Sequence, residues 1–253
     1  MKDYDIIILI SNELEADTML KVDIWSDYVC PFCYIGKREL ENAVKAAGFE
    51  GQVEVNLKAY QLDSGVLAND ERTSIESLAA KFGMTPEQTM QQVQPTVERA
   101  KSVGLDFDFT KMKTVNTFKA HRMAKWAESK GKGTEFGELL LKAHFLDYEK
   151  VSDVEILASI AEQVGLSVDE ARQVVEGSEF ASDVLEDIEV ARQIGVRGVP
   201  FFVVNDKYAV SGAQPQAVFE EVLQKVAEEA GIKPKLQMFG SDSNVCGDDG
   251  CEI

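Results

Sequence analysis

Two cysteines, Cys30 and Cys33, stand where a predicted strand passes into a predicted helix, and this junction constrains the fold more than any other feature. Residues 22–25 have the apolar character of a strand, and residues 31–47 are helical in composition up to Gly48, which ends the helix. The first thiol therefore lies at a helix N-terminus, where free backbone N–H groups and the macrodipole stabilise an anion by at most ~2 kcal/mol. Because the thiolate is the nucleophilic form of cysteine, the junction predicts thiol exchange chemistry.

The elements around the dithiol predict a strand, helix and strand over residues 21–60, which implies a parallel pair of strands. Much later in the chain, residues 201–204 and 208–210 read as a hairpin across Asn205 and Asp206. The block between is helical in pattern and too long for an ordinary crossover, so it is predicted to be an inserted helical lobe. Helix starts are predicted at Thr85, Asn116, Thr134, Ser152, Ser167, about Glu179 and Pro215.

The chain carries 44 acidic and 26 basic residues, which gives a formal net charge of -18. This charge repels phosphate backbones and anionic lipid, so we expect neither nucleic acid nor a membrane as partner. The apolar run at residues 6–10 is too short to span a bilayer and follows acidic residues, so we expect no secretory signal and a cytoplasmic protein. In that reducing compartment, the four cysteines indicate catalysis or metal binding rather than permanent disulfides.

The order of elements resembles the thioredoxin fold of the DsbA-like disulfide oxidoreductases, an α/β fold with a large inserted all-helical domain. Residues 25–36, which contain the dithiol, and residues 195–201 resemble the two signature segments of the FrnE branch of that family. The resemblance implies a thioredoxin-like domain and a helical domain. The predicted division is an N-terminal extension (1–20), a thioredoxin-like domain (21–63 and 196–231), an inserted helical domain (64–195) and a C-terminal tail (232–253).

In such a motif the first cysteine faces the helix end and solvent, so Cys30 is expected to attack a disulfide and Cys33 to resolve the mixed disulfide. The neighbouring Pro31 and Phe32 are expected to contact the substrate. In strongly oxidising members of the family, a histidine between the cysteines helps to stabilise the thiolate. Phe32 cannot donate a hydrogen bond to sulfur, so we expect a milder oxidant.

The resemblance also implies a cis peptide bond between Val199 and Pro200, packed against the dithiol. A proline has no N–H and is tolerated at the first position of a strand, here the one that begins at Phe201. It leaves the backbone of Val199 free to pair with an extended substrate. We therefore assign Pro200 to the active site and Val199 to substrate binding.

Five further polar residues could take part in the chemistry, but for each we favour a structural role. A buried acid near the second cysteine could carry its proton. We nevertheless expect Asp23 and Asp27 to be exposed or to cap the helix. Lys37 is expected on the solvated surface, although it could add positive potential near the dithiol. His121 and His144 are expected to be surface residues or to have satisfied hydrogen bonds.

The tail contains a second pair, Cys246 and Cys251, whose four-residue spacer consists of Gly and Asp. Such a spacer favours a tight turn, across which the two sulfurs can meet. A C-x4-C pair in the tail is also a feature of the FrnE branch. The pair could exchange electrons with Cys30 and Cys33, form a simple disulfide loop or stay an unstructured thiol pair. Together, the four cysteines could alternatively bind zinc.

The sequence thus predicts a thiol-disulfide oxidoreductase or isomerase that acts on protein or small-thiol disulfides and is reset by a thiol reductant. We expect no cofactor and no metal. Two alternatives stay open. One is a glutathione-dependent isomerase or transferase of the same fold, although such relatives typically lack the resolving cysteine. The other is a zinc-holding or redox-sensing binding protein.

Overall fold

The computed structural model describes residues 19–67 and 69–235, and this part of the chain forms four strands and nine helices. The strands are β1 (Leu20–Ser26), β2 (Val53–Ala59), β3 (Phe201–Val204) and β4 (Tyr208–Ser211). The helices are α1 (Pro31–Ala46), α2 (Ser74–Phe82), α3 (Pro86–Ser102), α4 (Phe118–Ser129), α5 (Gly133–Phe145), α6 (Val154–Gln163), α7 (Val168–Glu176), α8 (Ala181–Gln193) and α9 (Gln216–Ala230).

The strands form one sheet in the order β2-β1-β3-β4. β1 pairs in parallel with β2 and antiparallel with β3, and β3 and β4 form the predicted hairpin. Asn205 and Asp206 both adopt positive φ, 47° and 54°, as the turn of a tight hairpin requires. The predicted strand–helix–strand unit and hairpin are therefore confirmed.

The sheet packs against α1 and α9 through a core that contains Phe202 and Phe219, whose ring centroids are 4.8 Å apart. Gly36 allows α1 to approach β3 closely. A Cβ atom at this glycine would lie 3.0 Å from the Phe202 ring and 3.2 Å from Pro200. Because a larger residue would meet these two side chains, Gly36 sets the position of the dithiol helix over the segment that precedes β3.

Helices α2–α7 enclose a second core, which includes Phe107, Phe136 and Phe145, while Ala191 of α8 packs against Trp25 of β1. Tyr34 and Ile35 of α1 belong to this core, while Leu40 of the same helix belongs to the core of the sheet. The dithiol helix therefore lies between the two. The division into domains at residues 63/64 and 195/196 stays a prediction.

Several predicted helix starts are confirmed. The Thr85 side chain accepts a hydrogen bond from the backbone N–H of Gln88, and the Gln88 side-chain oxygen accepts one from the backbone N–H of Thr85. The Ser167 hydroxyl accepts from the backbone of Glu170 at the start of α7. Pro215 immediately precedes α9.

Other helix starts were wrong by one or two residues. α5 begins at Gly133, and the Thr134 hydroxyl donates to the carbonyl of Val55 instead of capping the helix. Asp153, not Ser152, caps α6, because its carboxylate accepts from two backbone N–H groups.

The remaining starts differ in similar ways. α4 begins two residues after Asn116, and α8 begins at Ala181 because Phe180 has a φ of 62°. Helix α2, capped by Thr73, had not been predicted as a separate element. Among the described residues, no helix combines the length and apolar character needed to cross a bilayer.

Candidate active site

Cys30 occupies the N-cap position of α1, with φ of -90° and ψ of 111°, and Pro31 is the first helical residue. The backbone N–H of Cys30 donates to the carbonyl of Asp27 at 3.1 Å, and that of Cys33 donates to the carbonyl of Cys30 at 3.0 Å. These turn contacts place the first sulfur at the helix N-terminus, as the sequence predicted. Both cysteines are free thiols.

The segment that precedes β3 contacts the sulfur of Cys30. Cys30 Sγ lies 3.5 Å from the carbonyl oxygen of Val199, and the Val199–Pro200 bond is cis, as the resemblance implied. Cys30 is only 4% exposed, so the expectation that its sulfur faces solvent was wrong. The chain around Val199 encloses it, whereas the adjacent Phe32 is 39% exposed and forms the open part of the motif.

Cys33 lies one turn further into the protein and is 1% exposed. Burial raises the pKa of its thiol well above the usual value, and the nearby Cys30 sulfur acts in the same direction. Hydrogen bonds with the Ser26 hydroxyl and the Asp27 backbone oppose this rise in pKa without cancelling it. The second thiol is therefore held in its protonated form at neutral pH.

Asp27 is fully buried next to the dithiol, so the expectation of an exposed or capping residue was wrong. Its Oδ2 accepts a hydrogen bond from the backbone N–H of Leu62 at 2.7 Å, and its Oδ1 lies 3.3 Å from Nε2 of His121. His121 is also buried, and its ring packs against Tyr28 with centroids 4.8 Å apart. A carboxyl and an imidazole, two groups able to exchange a proton, thus lie together in a buried site.

Asp23, on β1, is buried as well, contrary to expectation. Its Oδ2 lies 3.0 Å from Nζ of Lys21. β1 is an inner strand with neighbours on both sides and packing on both faces, so Asp23 and Ser26 are enclosed along with its apolar residues.

Lys37 was predicted on the surface, but it is 5% exposed. Its Nζ contacts Glu138 of α5 at 2.6 Å and also Glu41, while Arg38 pairs with the same two carboxylates. Burial alone would raise the pKa of Glu138, but the charges of Lys37 and Arg38 hold it below its usual value. We call these four residues the α1–α5 ion cluster.

Next to the dithiol, a cavity of about 370 Å³ lies between α1 and the helical insertion. Pro31 and Phe32, predicted to bind substrate, line it together with Asp27 and His144. His144 is 2% exposed, and burial lowers its pKa to about 4, although the charge of Asp27 and the Glu149 backbone act in the opposite direction. Contrary to expectation, its Nδ1 has no hydrogen-bond partner among the described residues.

The sequence did not reveal the partners of these buried groups. His121 is 94 positions from Asp27, and Glu138 is 101 positions from Lys37. The helical pattern places each histidine on a helix but carries no information about which distant side chain it meets.

The tail pair, Cys246 and Cys251, lies outside the residues that the structure describes, so the predictions made for it stay predictions. Within residues 19–67 and 69–235, no group of three or more His, Cys, Asp or Glu side chains is arranged to hold a metal ion.

Comparison with known proteins gives the family. A model of the DSBA-like thioredoxin domain matches residues 21–224. The chain belongs to this family. The predicted DsbA-like thioredoxin fold is thereby confirmed, with α2–α8 as its helical insertion.

Among solved structures, a probable DsbA oxidoreductase from Streptomyces coelicolor is 33% identical, with a TM-score of 0.77, and the match covers 92% of this chain and 99% of that one. The cytosolic disulfide reductase DsbM from Pseudomonas aeruginosa, solved with GSH, shares the fold at 14% identity and a TM-score of 0.58, over 82% of this chain and 99% of that one. A curated relative, the uncharacterized protein YwbO of Bacillus subtilis (strain 168), is 26% identical over 206 residues, which are 80% of this chain and 94% of that protein.

Proposed function

We propose that this member of the DsbA-like family is a cytoplasmic thiol-disulfide oxidoreductase and isomerase in which Cys30 attacks disulfides and Cys33 resolves the intermediate. One observation carries the proposal: the two thiols occupy chemically different positions. Cys30 is at the N-terminus of α1 beside the Val199 carbonyl, whereas Cys33 is buried and its pKa is raised. A nucleophile at a helix end and a protonated reserve thiol behind it suit two successive exchange steps.

In the first step, the Cys30 thiolate bonds to one sulfur of the substrate disulfide, and the other substrate sulfur leaves with the electron pair of the broken S–S bond. In the second step, Cys33 loses its proton and attacks the Cys30 sulfur. The second substrate thiolate is released and a Cys30–Cys33 disulfide forms. The substrate gains two electrons, which a thiol reductant later restores to the enzyme. If a different substrate thiol attacks the mixed disulfide instead, the result is isomerisation.

The second step needs an acceptor for the Cys33 proton. Asp27 supports this role because its carboxyl is buried, its backbone hydrogen-bonds the Cys33 sulfur, and His121 lies 3.3 Å from its Oδ1. Within the proposal, Asp27 receives the proton and His121 positions the carboxyl.

Substrates would enter beside Phe32, and the backbone of Val199 would pair with an extended chain next to Cys30. Glutathione is a candidate small-thiol reductant, since DsbM was solved with GSH. The description of DsbM as cytosolic supports the cytoplasmic location. Membership of the FrnE branch and an exchange with Cys246 and Cys251 are supported by sequence motifs.

Insulin disulfide reduction tests the proposal, in a Cys246→Ser/Cys251→Ser background so that only the described dithiol contributes. Cys30→Ser should lower turnover by about 10³-fold or more, because the attacking sulfur is lost. Cys33→Ser should accumulate a mixed disulfide on Cys30, which mass spectrometry detects as an adduct that reductant removes. Lys207→Met, which retains both thiols and changes an exposed residue outside the site, is the control for each measurement.

The alternatives predict other outcomes in the same assay. A glutathione-dependent isomerase or transferase would stay active with glutathione after Cys33→Ser. A binding protein would show no insulin reduction even in the parent variant, in which Cys30 and Cys33 are intact. Either result would overturn the assignment of Cys33 or of the whole reaction.

A further inference from the structure

The cavity beside the dithiol has an open apolar end and an enclosed end. At the open end, Phe32, Leu62 and Phe82 are 39%, 46% and 60% exposed. At the enclosed end, Thr117 and His144 are 1% and 2% exposed. A volume of about 370 Å³ is within the usual range for sites that bind small molecules or single side chains.

Thr117 is the first unusual feature of the enclosed end. It occupies the N-cap position of α4, where a threonine hydroxyl ordinarily accepts a bond from the first turn, but it makes no such bond. Its Oγ1 is buried without a hydrogen-bond partner among the described residues. Thr117 lines the cavity, so its unpartnered hydroxyl lies next to any ligand that binds there.

His144 is the second unusual feature of the enclosed end. Since burial lowers its pKa to about 4, the ring is neutral at neutral pH, and its Nδ1 also lacks a partner in the described part of the chain. Only four buried side-chain polar atoms of the described residues are unpartnered in this way, and two of them belong to residues that line this one cavity. Buried polar groups are rarely left unsatisfied, and each exception calls for an explanation such as a ligand or water.

The charges around the cavity restrict what can bind there. Asp27 lines it and is fully buried, with both oxygens already in contact with Leu62 and His121. Two cations line the cavity: Lys81 is exposed and pairs with Asp63, and Lys113 is half-buried and lies near Glu71 and Glu76. Both lysines thus already face carboxylates, and an anionic group at the enclosed end would be desolvated near the Asp27 carboxyl, which disfavours it.

We propose that this cavity is a subsite for a neutral, mainly apolar group with one hydroxyl, such as the tyrosine side chain next to the reactive cysteine of a peptide substrate. The ring would pack against the apolar walls near Phe32, and its hydroxyl would bond with Thr117 Oγ1 or His144 Nδ1. This inference rests on the proposed function for its substrate class, but the cavity itself can be tested without turnover.

Calorimetric binding of p-cresol and toluene, which differ only by the hydroxyl, tests the cavity directly. We expect p-cresol to bind about tenfold more tightly, because only it satisfies the buried polar atoms. The preference should fall to about threefold or less in Thr117→Val or in His144→Phe. Thr89→Val is the matched control: Thr89 is equally buried in the same cavity, but its hydroxyl already donates to the Thr85 carbonyl at 3.0 Å.

Equal binding of the two probes by the wild type would overturn the inference, as would a preference that survives both substitutions. A second measurement compares kcat/KM for disulfide-linked peptides with Tyr, Phe or Glu next to the cysteine, and we expect the order Tyr, Phe, Glu. If p-cresol is preferred but no peptide is reduced, the proposed function fails and the subsite stands. If the peptides are reduced without a preference and neither probe binds, the subsite fails and the proposed function stands.

Discussion

Two sets of polar groups of opposite kinds lie on the two sides of α1. Toward α5, the α1–α5 ion cluster is fully paired: Lys37 and Arg38 share the carboxylates of Glu41 and Glu138. Toward the cavity, Asp27 and His121 are paired, but Thr117 and His144 each leave a buried atom without a partner among the described residues. A cluster whose polar atoms are all paired can fix the position of a helix. A cluster with unpaired polar atoms can still form hydrogen bonds with a substrate.

The largest effect on stability is expected from Asp27→Ala. The substitution leaves the Leu62 N–H without its acceptor, removes the partner of His121 and opens a hole at a fully buried side chain. We expect a loss of about 3 to 4 kcal/mol in the free energy of unfolding, measured by urea denaturation. Asp27→Asn is the control, because its side-chain oxygen can still accept from Leu62 and should restore at least half of the loss. Equal losses for both variants would contradict this account.

The next effect on stability depends on pH and comes from His144. Burial lowers the pKa of this histidine from an ordinary 6.5 to about 4. Between these values the unfolded chain binds a proton that the folded protein does not, so stability rises with pH across this window. The contribution of neutral His144 to the free energy of unfolding is complete above pH 6.5. It falls by up to about 3 kcal/mol as the pH drops toward 4. Urea titrations at several pH values measure it.

The matched variant is His144→Gln, which removes the titrating group. Its stability should vary less over the same window than that of the wild type. Carboxylates such as Asp70 and Glu189, whose pKa values are held at about 2 by hydrogen bonds with arginines, titrate alike in both proteins. Parallel pH profiles for wild type and variant would show that His144 is not the source.

A smaller loss of stability is expected from a substitution in the α1–α5 ion cluster. Lys37→Met removes a buried cation, but Glu138 keeps its contacts with Arg38 and Tyr34 and is partly exposed. We expect a loss of about 1 to 2 kcal/mol in the free energy of unfolding. The control is Lys132→Met, which breaks an exposed pair with Glu135 and should cost less than about 0.5 kcal/mol. If the two variants lose the same amount, burial of the ion cluster contributes nothing.

These groups also show what the sequence could predict. The strands, the hairpin turn, the helix caps at Thr85 and Ser167 and the placement of Cys30 all depend on residues within a few positions of one another. Asp27 and Lys37 were assigned to the surface because their partners are about a hundred positions away, on helices whose packing no local pattern encodes. Alternation in β1 gave no help, since both faces of an inner strand are covered.

The smallest effect is expected from Thr117→Val, which compares two threonines at helix N-caps. The Thr85 side chain accepts from Gln88 and forms a capping box, so Thr85→Val should cost about 1 kcal/mol of unfolding free energy. Thr117 makes no capping bond and its hydroxyl has no partner among the described residues, so Thr117→Val should change stability by less than about 0.5 kcal/mol. Thermal and urea unfolding of both variants measure the difference. A loss at Thr117 as large as that at Thr85 would mean that the hydroxyl already serves the folded protein and is not held for a ligand.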